Sequence, residues 1–137
     1  MKIAICASMV FIEKMLEIKK ELEKMGYECF VSGFANSYLG KTENEIEKLK
    51  LFHKNARDAI REFWKKIKKS DAILVLNYHR KGVKNYIGGN TLMEIGFAHV
   101  LNKKIFLTNP ISEIGYYKSE IEAIKPVIIN GNLSKIK

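Results

Sequence analysis

Asp71-Ala72-Ile73-Leu74-Val75-Leu76-Asn77 is an unbroken apolar run closed at each end by a polar residue. Because the apolar side chains are continuous rather than alternating, the run predicts a strand buried on both faces, the habit of a parallel sheet. Its neighbours repeat the theme. Lys2 to Ala7 and Tyr27 to Val31 predict two earlier strands, and Lys104 to Thr108 and Val127 to Ile129 two later ones.

Helical spacing fills the intervals. Phe11, Met15, Ile18, Leu22 and Met25 recur on one helix face up to Gly26, a C-terminal stop. Thr42-Glu43-Asn44-Glu45 has the form of a capping box and opens a mostly helical region to about Lys69, with a break expected near His53 to Asn55. A helix from Thr91 to about Asn102 and a short one from Lys118 to Ile124 complete the order. Parallel strands need crossovers, and right-handed crossovers put helices on both faces. The expectation is therefore an α/β chain, a single doubly wound (flavodoxin- or Rossmann-like) domain over residues 1–137, with a parallel sheet of about five strands.

Composition narrows the function classes. The chain has 137 residues, 47% hydrophobic and 28% charged, and a formal charge of +9. Such a length buries a core without disulfide or metal staples. Positive charge favours anionic ligands, but the densest run, Lys65-Lys66-Ile67-Lys68-Lys69, reads as a solvated helix end complementing the helix dipole. Nucleic acid is thus a minor expectation. Cys6 and Cys29 fit neither a redox pair nor a zinc site and read as buried thiols in a reducing compartment. No apolar run approaches the roughly 20 residues that span a bilayer, so a cytoplasmic protein without membrane attachment is expected. His53, His79 and His99 lack metal-ligand spacing and read as surface or satisfied polar residues, with His79 the one placed for proton transfer. No metal or cofactor is expected.

In a doubly wound sheet, ligands bind beyond the carboxyl ends of the strands. That selects Ala7 to Phe11, Ser32 to Gly40, Asn77 to Thr91 and Thr108 to Tyr117. Within the third segment, Gly88-Gly89-Asn90-Thr91 brings bare backbone to a helix N-terminus, where free amides and the dipole favour an anion. Tyr78, Arg80, Lys81, Lys84 and Tyr86 add aromatic faces and positive charge. Glu94 admits two readings. Thr91-Leu92-Met93-Glu94 satisfies the capping-box pattern, which would give the carboxylate a purely structural task.

The other reading comes from a resemblance. Asn90-Thr91-Leu92-Met93-Glu94-Ile95-Gly96-Phe97-Ala98, followed by Lys103-Lys104-Ile105-Phe106-Leu107, resembles the nucleophile segment of the nucleoside 2-deoxyribosyltransferase family. Cys6-Ala7-Ser8 is similar to the first-strand turn of its 2'-deoxynucleoside 5'-phosphate N-hydrolases. The resemblance implies cleavage of a base–sugar bond, with Glu94 attacking the anomeric carbon and water or a second base releasing the sugar. It implies a nucleoside or nucleotide partner, no cofactor, and a homodimer or larger homo-oligomer. Together with the strand-end geometry, it places Ser8, Met9, Gly33, Asn77, Tyr78, Gly88, Gly89, Asn90 and Thr91 around the substrate. Two positions depart from the family pattern: Asn77 stands where members often have an acid, and Gly88 where many have an acid or serine. An amide cannot supply a proton as a carboxylic acid does, so a nucleotide-binding sensor that does not cut is the alternative expectation.

Overall fold

The computed structural model describes all 137 residues. Strands β1 (Lys2–Cys6), β2 (Glu28–Phe30), β3 (Ala72–Val75), β4 (Lys104–Leu107) and β5 (Val127–Ile128) form one sheet in the order β2-β1-β3-β4-β5. Every pairing is parallel. Helices α1 (Ile12–Lys24), α2 (Glu43–Ala56), α3 (Ala59–Lys69), α4 (Gly89–Val100) and α5 (Lys118–Ile124) supply the crossovers. This is the doubly wound α/β arrangement expected from the apolar runs.

Strand alternation sorts the core into two layers. Ile3, Ile5, Leu74 and Phe106 face Met15, Ile18 and Leu22 of α1. Ala4, Cys6, Ile73, Val75 and Leu107 face Phe63 and Ile67 of α3, Ile95 and Ala98 of α4, and Ile121 of α5. Cys6 therefore points toward the helix that carries Glu94.

Two boundaries differ from expectation in ways that matter for the site. The break in the region from Thr42 to Lys69 falls at Arg57 and Asp58, not at His53 to Asn55; Asp58 is left-handed at φ 49°, which turns the chain between α2 and α3. His53 accordingly lies inside α2. Helix α4 starts at Gly89 with Gly88 as its cap residue, so Thr91 is already within the first turn. The capping box between Thr91 and Glu94 does not form. The one at Thr42 does: its hydroxyl accepts from Glu45 N at 3.2 Å and Glu45 accepts from Thr42 N at 2.9 Å.

Candidate active site

From β1 the chain runs outward to β2 on one side and to β3 on the other, so a crevice opens beyond the carboxyl ends of β1 and β3. A cavity of about 100 Å³ occupies it, opening outward to solvent. Its floor is Cys6, Ala7, Ser8 and Met9; Gly88 to Thr91 and Glu94 form one side. Phe34 and Tyr38 from the loop after β2, Lys50, His53 and Lys54 of α2, and Ala59 and Phe63 of α3 form the other.

Glu94 sits in the second turn of α4, freed from any capping duty. The residue is half-buried and lines the cavity. Desolvation pushes its carboxyl up to about 8; the Cys6 thiol acts as a weak donor that opposes the rise, and the negative charge of Glu62 adds to it. Burial, followed by the charge of Glu94, holds the Cys6 thiol well above its ordinary range, so Cys6 stays protonated. No cation is among the groups that set the Glu94 carboxyl. A carboxyl in these surroundings suits attack on, or stabilisation of, a positively charged carbon centre.

Polar groups await a partner on the same cavity. Ser8 Oγ and Arg80 Nε are buried without a hydrogen bond, although both residues line it. Arg80, 8% exposed, is anchored through Nη2 to Glu43 at 3.1 Å and Glu47 at 2.8 Å, and lies 5.3 Å from the Tyr86 ring centroid. Lys50 Nζ shares Glu47 at 3.3 Å. Burial lowers the Lys50 ammonium from its usual range. Gly88 allows Tyr86 to pack closely, since a Cβ there would lie 3.3 Å from Tyr86 Oη. With no side-chain cap at Gly88, the first-turn amides of α4 remain open to a ligand.

Of the residues expected around a substrate, Ser8, Met9, Gly88, Gly89, Asn90, Thr91 and Glu94 meet at this cavity. Gly33, Asn77 and Tyr78 do not line it. Gly33 N donates to Glu62 Oε1 at 3.2 Å. Asn77, fully buried, donates to the carbonyls of Asn109 and Pro110 at 2.9 and 3.1 Å and accepts from Asn109 N at 2.9 Å. Tyr78 packs edge-on against Phe11 on the other side of the sheet. The segment from Thr108 to Tyr117 adds nothing to the lining either; Tyr117 Oη donates to Ile87 O at 3.0 Å and braces the loop before α4. His79 is exposed, and His53 is the histidine at the site.

Sequence reading missed the α2 and α3 wall. The available signal was the spacing of Lys50, His53 and Lys54, which at i, i+3 and i+4 share one helix face. No cluster of three His, Cys, Asp or Glu side chains is placed to hold a metal, and no helix is long and apolar enough to cross a membrane.

No protein-family model matches the chain, and no curated protein does. Among solved structures, CMP N-glycosidase BcmB from Clostridium botulinum superposes with a TM-score of 0.50 at 17% identity, over 93% of this chain and 85% of that one. The likeness is one of fold. A 2-deoxyribosyltransferase from Bacillus psychrosaccharolyticus gives 0.48 at 16% identity over 78% and 71% of the two chains. FerB, a flavoenzyme NAD(P)H:acceptor oxidoreductase from Paracoccus denitrificans, gives 0.49 at 13% over 93% and 74%.

Proposed function

We propose that this chain, acting as one domain over residues 1–137, cleaves the bond between base and sugar in a nucleoside or nucleoside 5'-phosphate, with Glu94 as nucleophile. The observation that carries the reading is the Glu94 carboxyl, released from helix capping and enclosed in the crevice at the sheet's switch point. Support comes from the resemblance around Glu94 to the nucleoside 2-deoxyribosyltransferase family. A fold shared with a CMP N-glycosidase agrees with it.

The cavity volume of about 100 Å³ admits a sugar-sized group, which sets the anomeric carbon against Glu94 and leaves base and phosphate toward the mouth. The ionised carboxylate attacks that carbon, the carbon–nitrogen bond breaks, and its electron pair leaves with the base. Water, or a second base, then attacks the same carbon and frees Glu94. A 5'-phosphate finds donors in Ser8 Oγ and the first-turn amides of α4, while Arg80 Nε, Lys50 and Lys54 favour an anionic ligand over a neutral one. Met9, Gly88, Gly89, Asn90 and Thr91 shape the sugar side. Gly33, Asn77 and Tyr78 act as supports for the surrounding loops.

The working unit in this reading is a homodimer or larger assembly. Helix α4 is apolar beyond its buried face: Met93 is 41% and Val100 74% exposed, and they align with Phe97 along one outward stripe. A second copy covering that stripe would brace the helix that holds Glu94. Two buried free cysteines suit a reducing, cytoplasmic setting.

The test is a chromatographic screen of nucleosides and 5'-monophosphates for liberated base, run beside Glu94→Ala. Release by the wild type and its loss in the variant are expected. Wild-type rates in Glu94→Ala would overturn the assignment, and nucleotide binding without any release would leave a sensor instead.

A further inference from the structure

The wall contributed by α2 contains a buried histidine held by three aromatic rings and one hydrogen bond. His53 is 7% exposed. Phe34 stacks on it at 4.2 Å and 20°, and Tyr38 and Phe52 meet it edge-on at 5.4 and 5.7 Å. Tyr38 Oη lies 2.7 Å from Nδ1, and that nitrogen is the phenol's only hydrogen-bond partner.

Donor accounting determines the tautomer. Tyr38 is 3% exposed. Were Nδ1 to carry the ring hydrogen and donate to Oη, the phenol hydrogen of this buried residue would have no protein acceptor, at a cost of about 1–3 kcal/mol. The bond therefore runs from Tyr38 O–H to Nδ1, and the ring hydrogen sits on Nε2. Burial and the charge of Arg57 hold the imidazole below its usual range, which keeps it neutral. Nε2 has no protein hydrogen-bond partner and is not sealed inside the protein, and His53 lines the cavity.

We propose that His53 receives the departing base, its Nε2–H donating a hydrogen bond to a ring-nitrogen or carbonyl acceptor as the bond to the sugar breaks. The inference rests on the base–sugar cleavage reading. It assigns to α2 the task that a carboxylic acid at position 77 or 88 would otherwise perform. Electrons and protons balance: Glu94 forms a bond to the anomeric carbon, the carbon–nitrogen pair leaves with the base, and the growing negative charge is met by Nε2–H. The base takes its proton from solvent afterwards. A neutral imidazole acting as hydrogen-bond donor stabilises such charge without changing its own protonation state. Tyr38 is the positioning residue, since it keeps the hydrogen on the nitrogen that faces the ligand.

The experiment compares a nucleoside found in the screen with the 4-nitrophenyl glycoside of the same sugar, whose leaving group needs no donor. Removal of a charge-stabilising donor commonly costs about 100-fold or more in rate, so His53→Ala should lose about 100-fold in kcat/KM on the nucleoside and less than about threefold on the activated glycoside. His53→Gln, with an amide N–H near the Nε2 position, should recover part of the nucleoside activity. Equal losses on both substrates, or none, would overturn the proposal. If His53→Ala does not fold by circular dichroism, Tyr38→Phe decides: a loss confined to the nucleoside supports the assignment and a uniform one refutes it. The glycoside also separates the two claims. Wild-type cleavage abolished by Glu94→Ala retains the cleavage reading even where the His53 pattern fails, whereas a wild type that cleaves neither substrate removes both.

Discussion

Replacing Glu94 with glutamine should stabilise the protein, and by an amount that grows with pH. The carboxyl is held at about 8 in the folded chain against an ordinary 4.5, chiefly because burial disfavours its charge. A raised carboxyl contributes stability that is fully present below 4.5, where both states are protonated, and is lost as pH rises toward 8. At about 1.36 kcal/mol per pH unit, the full span is worth about 5 kcal/mol, of which about 3 is lost by pH 7. Water reaching the carboxyl through the cavity makes these figures ceilings. Glutamine has nearly the same shape and no charge, so Glu94→Gln should melt with the wild type at pH 4 and above it at pH 7, by up to about 10 °C for a domain of this size. Scanning calorimetry of the two proteins from pH 4 to 9 isolates the difference, because the other titrating groups are common to both. An offset independent of pH, or a variant less stable throughout, would refute the reasoning. In its proposed role as nucleophile Glu94 needs the ionised form, so kcat/KM for base release should rise through the same range with a midpoint near 8.

Asn77→Asp tests whether an acid placed just beyond β3 promotes base release. It replaces two donated hydrogen bonds with a carboxylate facing the carbonyls of Asn109 and Pro110; a loss of about 3 kcal/mol in denaturant melts, with no gain in base release, is expected. Unchanged stability with faster release would show that this residue faces the substrate after all. For assembly, Met93→Lys with Val100→Lys places two charges on the outward stripe of α4 and should convert a dimer to a monomer in analytical ultracentrifugation. A wild type that sediments as a monomer at high micromolar concentration would remove the interface.

The fold was legible because β3 hides apolar residues on both faces, which leaves no room for an alternating, half-solvated reading. The ends of elements were less so. At α4 the sequence offers Thr91 as a good cap, but Gly88 takes the position without a side-chain bond, moving the helix start two residues earlier and releasing Glu94. The turn at Asp58 was hidden for a different reason: a left-handed non-glycine residue is uncommon and has no strong sequence signal. In the site, the strand-end rule found the floor and the α4 side. It could not find the α2 wall, because periodicity tells which face of α2 is apolar and says nothing about what its polar face overhangs. The rule also nominated Thr108 to Tyr117, where the polar groups are consumed in bracing neighbouring loops.

If the cavity carries out the proposed reaction, its electrostatic layout would favour the transition state over the bound substrate. Its cations are tied to the α2 wall, Lys50 and Lys54 on the helix itself and Arg80 paired to its Glu43 and Glu47, and none is among the groups that set the Glu94 carboxyl. The same wall attracts an anionic ligand, whose negative charge would raise the carboxyl further while the sugar is still intact. Glu94 is thus disfavoured as an ion before any reaction begins. In the proposed reaction, positive charge would grow at the anomeric carbon as the bond to the base lengthens, and would meet a carboxylate that no cation has already neutralised. An interaction that strengthens only as charge develops lowers the barrier without tightening substrate binding. A lysine beside Glu94 would make the carboxylate easier to ionise and correspondingly weaker at the moment it is needed.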